Sequence, residues 1–507
     1  MLRYYTFALL FLAAAPMSAQ EPLKENLAPC GTLGVSGWLR EYRSRPPVPD
    51  LLGDTLWVAV QPHLLAKDNG TGRISTEKFL NAVCQLNEDF AASNIQFYCK
   101  NNWNLLNETD WHAHSSIPQG IEMMLTNNVP DALNAYFVAD PAGNCGYNLP
   151  YGGVAIGHGC TNSGDHTWAH EVGHALSLPH PFIGWEGKSY NFNNPTPYSL
   201  TYDYTYFHDT LDTQIPAPLD TALVEYLNGS NCDQAADLIC DTKPDYLSNR
   251  WECGALNMSI AKQKDPAGAE FYSDGTLFMS YAADHCQNRF SPEEIAVMRA
   301  TLLTEKANWL APAVLEQAIG EPPVAIEPVQ DQIVPTLGAL LRWQPAPHAT
   351  HYIVQASRLV NFAYKQLDVV TTDTFVVAGQ LTPNLKYFWR VRPFNDWYAC
   401  APFTALATFM TASLSAASEP DADGWRCYPS LLFDGTPLTL EIPDPWRGED
   451  ARCKVFDAAG RLVWQSQISL GASRIKMEIP SANWPSGVYR FILTSGRGVK
   501  MCSLVRQ

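Results

Sequence analysis

The sequence predicts a multidomain chain: an α/β (α+β) domain over residues 51–313, then two all-β sandwich domains at 323–412 and 427–507. Strand-like runs alternate with an amphipathic helical pattern through the first part, an α/β order. After Glu321-Pro322-Pro323 the pattern changes to short strands separated by turn residues, which is the pattern of a sandwich. With 507 residues, 46% of them hydrophobic, there is enough apolar side chain for several cores.

The chain opens on Met1-Leu-Arg, an apolar run from Thr6 to Ala15 and small residues up to Ala19, the pattern of a secretory signal peptide at 1–19. That run of about ten apolar residues is too short to span a bilayer, and no later stretch is long enough either, so no transmembrane anchor is expected. Residues 20–50 carry Cys30 and a proline-rich exit, too little to bury a core, and read as a short pro-segment or leader. A formal charge of −17 argues against nucleic-acid or anionic-membrane binding. Thirteen cysteines in an exported chain imply disulfides, with one left over.

Thr55–Val60 reads as a strand. Ser75 can cap a helix whose Phe79, Val83, Leu86 and Phe90 keep helical spacing, with Cys84 beside the core. Two further strands follow, at Asn94–Tyr98 and Ala135–Ala139. From Pro181 to about Leu219 there is no regular period, although Tyr198, Tyr202, Tyr204 and Tyr206 share one phase of an alternation. Ser291-Pro292-Glu293-Glu294 is a capping box opening a last helix with Ile295, Met298 and Leu302 as its inward stripe.

Between these elements stands His170-Glu171-Val172-Gly173-His174, continued to His180. Residues four apart on a helix lie one turn above each other, so His170 and His174 can offer two imidazoles to one metal with Glu171 beside them. Catalytic zinc takes three protein ligands, and His180 is the third if the chain turns back after the helix. Pro179 helps end the helix, because proline cannot continue one.

Downstream lie Leu277-Phe278-Met279-Ser280-Tyr281, Cys286 and Arg289-Phe290-Ser291-Pro292. The long zinc motif with a methionine turn resembles the metzincin metallopeptidases, and Asn231-Cys232 with Ala236–Thr242 is similar to the pappalysin/cytophagalysin family over about residues 55–305. Ser177 departs from that pattern, since the family carries glycine where the backbone turns left-handed.

The resemblance implies a secreted zinc endopeptidase acting on proteins or peptides. His170, His174 and His180 are then the zinc ligands, Glu171 the general base, Tyr281 the donor to the oxyanion and Met279 the floor beneath the metal. It also points to Asp237, Asp241 and Thr242 as calcium ligands, and to His285 with Asp284 as specificity residues where arginine-preferring relatives hold an acid. Cys30 can act as a latency ligand on the zinc, similar to the cysteine switch of some precursors, or form a disulfide.

Residues 323–412 resemble a fibronectin type III module. Residues 427–507 resemble a type IX secretion sorting domain, which implies secretion machinery as a partner and an exported, cell-surface or secreted bacterial protein. Sequence-local pairing of the cysteines is Cys84–Cys99, Cys145–Cys160, Cys232–Cys240 and Cys253–Cys286, with Cys453–Cys502 near the end. Two competing readings are an adhesin that keeps the zinc domain without turnover and a hydrolase of cell-wall peptide.

Overall fold

Eleven mostly apolar residues, Leu56–Ala66, form the central strand β1, buried along nearly its whole length. The computed structural model describes residues 34–44, 53–100, 102–149, 152–203, 219–314, 316–412, 425–432, 437–458 and 460–506. The expected signal peptide, Cys30, Tyr204 and Tyr206 lie outside them. The chain divides into two compact units, Met1–Ala313 and Val314–Gln507.

In the first unit, helix α1 (Gly37–Arg43) comes before β1. Ser36 caps it, Leu39 is fully buried, and Arg43 pairs with Glu293. Helix α2 (Thr76–Asp89) follows β1, capped by the Ser75 side chain accepting from Lys78 N at 3.2 Å. Phe79, Val83 and Leu86 point inward as their spacing requires. The chain then runs through β2 (Ile95–Cys99), β3 (Asn104–Asn107), α3 (Ile117–Asn127), β4 (Leu133–Val138), β5 (Gly146–Leu149) and β6 (Gly153–Gly157).

The sheet order is β2-β1-β4-β6-β5, with β3 also paired to β1. All pairs are parallel except β5 with β6, so β5 runs against the rest. Parallel strands covered by helices are buried on both faces, which is why β4 (LNAYFV) reads as one unbroken buried run.

Helix α4 (Thr167–Ala175) packs against β5 and β6, and helix α5 (Pro292–Leu303) closes the unit. The capping box at Ser291 and Glu294 is formed. The inward face of α5 is rotated from the expected stripe. Val297, Met298, Thr301 and Leu302 are buried and Ile295 only half-buried, because Glu294 turns inward to close the cap. In the irregular stretch, Ser199–Asp203 pairs antiparallel with Leu219–Leu223, and Tyr198 is 68% exposed.

The second unit holds two sandwiches. The first pairs a three-stranded sheet, β7-β9-β12 (Ala325–Glu327, Leu337–Trp343, Phe375–Gln380), with a five-stranded one. The latter is ordered β8-β14-β13-β10-β11 (Gln332–Val334, Ala407–Thr411, Lys386–Phe394, His351–Ser357, Leu367–Thr371). Trp343 and Trp389 fill its core, and Trp389 Nε1 donates to Pro328 O at 2.7 Å.

The second sandwich faces β15-β17-β20 (Arg426–Tyr428, Leu438–Glu441, Arg474–Met477) against β16-β22-β21-β18-β19 (Leu431–Leu432, Gly498–Arg506, Gly487–Ser495, Asp450–Phe456, Leu462–Ser469). β18–β19 and β21–β22 are antiparallel hairpins.

Cys145–Cys160, Cys232–Cys240 and Cys253–Cys286 are bonded. The Cys84–Cys99 bond is not formed. Cys99 stays a buried thiol on the same face of β2 as Ile95 and Phe97, whereas Cys84 lies off the buried stripe of α2. Cys453–Cys502 is also replaced, by Cys427–Cys502. Strand β21 separates β18 from β22, and strands two apart sit about 9–10 Å from each other, beyond disulfide reach. Cys427 lies on the facing sheet, so the bond ties the two sheets, and burial pushes the Cys453 thiol up to about 12.

Candidate metal centre

Helix α4 starts where His166 N donates to Asp284 Oδ1 at 3.2 Å and ends in a left-handed turn. Leu178 N reaches back to Gly173 O at 2.9 Å and Ser177 N to His174 O at 3.0 Å, the Schellman pattern, with Ser177 at φ 75°. A non-glycine residue there costs on the order of 1 kcal/mol. That turn, before Pro179, swings His180 back over the helix.

The Nε2 atoms of His170, His174 and His180 stand 3.1 Å from one another. Their other nitrogens decide the tautomer. His170 Nδ1 donates to Phe278 O and His174 Nδ1 to Leu178 O, both at 2.7 Å, leaving each Nε2 lone pair aimed at the common point. His180 Nδ1 has Glu186 Oε1 at 3.9 Å. All three rings are buried. Burial lowers His170 to about 4, and burial plus the neighbouring imidazoles lower His174 and His180 well below the usual histidine range. They are therefore neutral at pH 7, the form that binds metal.

Tetrahedral zinc with Zn–N of about 2.0–2.1 Å needs nitrogens about 3.3–3.4 Å apart. The triangle found is a few tenths tighter, and the donor set of three neutral imidazoles suits zinc.

Glu171 is fully buried on α4, its carboxylate against Gly146 of β5. A Cβ added to Gly146 would lie 2.9 Å from Glu171 Cγ and from Ala155 O, so only glycine leaves room there. Met279 is fully buried beneath the helix at Gly173, where a Cβ would collide with its sulfur. The Tyr281 ring is 4.9 Å from that of His180 and 5.9 Å from that of His170.

The calcium trio expected from the sequence does not converge. Asp237 accepts from Ile239 N and Thr242 Oγ1, whereas both oxygens of Asp241 accept from the start of α5, Ser291 Oγ at 2.6 Å and Glu293 N at 2.8 Å. These groups cap backbone and hold a loop, and calcium is not supported. Burial raises the Asp237 carboxyl above its ordinary range and Glu294 to about 8. Asp284 is paired with Arg250, and His285 is mostly exposed, 3.6 Å from Glu252. The sequence reading overlooked Glu186 and Gly146. Neither belongs to a motif, and only the fold brings them to the centre.

A histidine triangle on a buried helix backed by a mostly parallel sheet makes a candidate metal centre. The model of the family described as Peptidase M66 matches residues 133–233, from β4 through α4 and all three histidines, and supports a metallopeptidase. The match reaches the metallopeptidase reading and does not bear on the finer resemblance to the pappalysin/cytophagalysin family.

No curated protein matches the chain. Among solved structures, the chicken CNTN1 FN1-FN3 domains are 16% identical, with 37% of this chain and 69% of that chain covered at a TM-score of 0.15. The sixth fibronectin type III domain from human fibronectin type III domain containing protein 3 is 14% identical, with 22% and 98% covered at a TM-score of 0.16. Scores this low carry no argument, so the sandwich rests on its own two sheets.

Proposed function

We propose that the protein is a secreted, metzincin-like zinc endopeptidase. The observation that carries this reading is the 3.1 Å triangle of Nε2 atoms with Glu171 one residue after the first ligand. His170, His174 and His180 would hold zinc, which when bound supplies a Lewis acid that polarises the scissile carbonyl and acidifies water. Glu171 takes the proton of the attacking water and delivers it to the leaving amine. Tyr281, beside the triad, donates to the developing oxyanion.

The four disulfides described suit an oxidising, extracellular compartment, and no helix among the described residues is long and apolar enough to cross a membrane. In this reading residues 323–412 are a fibronectin type III-like module, the last sandwich is the secretion address, and Cys30 blocks the zinc in the precursor.

Asp284 is neutralised by Arg250 and occupied by His166 N, so it does not draw a basic substrate side chain. A peptide library incubated with the protein trimmed of residues 1–33, which removes Cys30 and keeps α1, should be cleaved without enrichment of arginine before the cut. Arginine enrichment would overturn the specificity reading, and no cleavage of any peptide would overturn the endopeptidase.

A second expectation concerns Gly146→Ala. The added methyl meets the Glu171 side chain and the Ala155 carbonyl and none of the imidazoles, so zinc content stays at one per chain while cleavage falls about tenfold or more. Zinc titration beside a fluorogenic peptide assay checks both. Unchanged cleavage would mean that the Glu171 position does not matter.

A further inference from the structure

The three imidazoles are not held alike. His170 and His174 each rest their Nδ1 on a backbone carbonyl at 2.7 Å. His180 Nδ1 is buried and has no hydrogen-bond partner, and the same is true of Glu186 Oε1, 3.9 Å away.

The carboxylate is also anchored. Glu186 Oε2 accepts from Gly184 N at 2.7 Å, and Gly184 sits at φ 92° in a tight turn whose carbonyl accepts from Lys188 Nζ at 3.0 Å. A shift of about 1 Å in Oε1 would bring it within hydrogen-bond distance of His180 Nδ1. The His180 ring stacks on Phe182, 4.6 Å between centroids and 14° between planes, which limits its tilt.

A ligand that coordinates through Nε2 carries its proton on Nδ1, and a buried N–H requires an acceptor. Glu186 Oε1 is a buried, unspent acceptor 3.9 Å from it. Resting on the zinc reading above, we propose that Glu186 is the positioning residue for the third ligand: its carboxylate accepts a hydrogen bond from His180 Nδ1–H and holds the imidazole toward the metal. The site thus pairs two rigid backbone acceptors with one side-chain acceptor, and the third ligand, which arrives by a turn rather than on the helix, is the one steadied by a carboxylate.

The test is zinc affinity by chelator competition on the full chain, comparing wild type with Glu186→Ala, Glu186→Met and Glu186→Gln. Alanine and the isosteric methionine, which lack the acceptor, should weaken zinc about 10–100-fold, and glutamine, which keeps a carbonyl oxygen, should recover part of that loss. The cobalt-substituted alanine and methionine proteins should show shifted d–d absorption bands, which a purely structural role would leave in place. If the alanine variant does not fold, the methionine variant decides. Variants that bind zinc within twofold of wild type with unchanged cobalt bands overturn the role of Glu186. Wild-type protein that binds no zinc overturns instead the reading on which it rests.

Discussion

Glu171→Gln protein retains one zinc per chain and loses peptide cleavage by on the order of 10³-fold or more. General-base transfer contributes about 10²–10⁴-fold, and nothing in the described centre replaces it. The three imidazoles are neutral through burial and through each other, and two of them are fixed by backbone carbonyls, so metal binding does not depend on the Glu171 charge. The glutamine is isosteric and fits the space left by Gly146. Zinc stoichiometry and turnover of a quenched fluorescent peptide, measured on one preparation, check the two halves. A variant keeping a tenth of wild-type turnover would remove Glu171 from the proton path, and one that lost its zinc would make it structural.

Stripping zinc with a chelator, or replacing His174 by alanine, abolishes cleavage and lowers the melting temperature. A ligand bound by the folded state alone stabilises it by about 4 kcal/mol at a thousandfold excess over its Kd. For a unit of this size that corresponds to about 10 °C. The triangle is built inside the first unit from α4, the turn at Ser177 and the loop carrying Phe278, so its ligands come together only when that unit folds. Calorimetry of the zinc-loaded, stripped and reloaded protein tests this. Activity and melting temperature should return together on reloading, and a stripped protein that melts where the loaded one does would show that the triangle is not a metal site. Calcium should not substitute, since the sites expected for it are spent on backbone caps.

The sequence predicted the structure where the physics is local. Ser75 and Ser291 cap helices because a side-chain oxygen meets an amide three residues on, and Phe79, Val83 and Leu86 face inward because a helix repeats every 3.6 residues. The sequence misread the structure where the partner is remote. Cys453 and Cys502 look like neighbours along two hairpins, yet one strand lies between them, and the sheet order that decides this is a property of the whole domain. Ile295 reads as core by period alone, but the inward turn of Glu294 moves the buried face.

At the centre the division follows the same line. By themselves the residues from His170 to His180 determine two ligands on one helical face, a carboxylate beside them and a chain stop, because all of this follows from helix geometry within eleven residues. Only the tertiary structure decided that His180 closes the triangle, that Phe278 O steadies His170 across 108 positions of chain and that Gly146 makes room for Glu171. It also decided that Asp237 and Asp241 serve different partners. Those contacts join segments whose spacing carries no period, so no local rule records them, and they exist only once the sheet, helix α4 and the methionine loop have packed together.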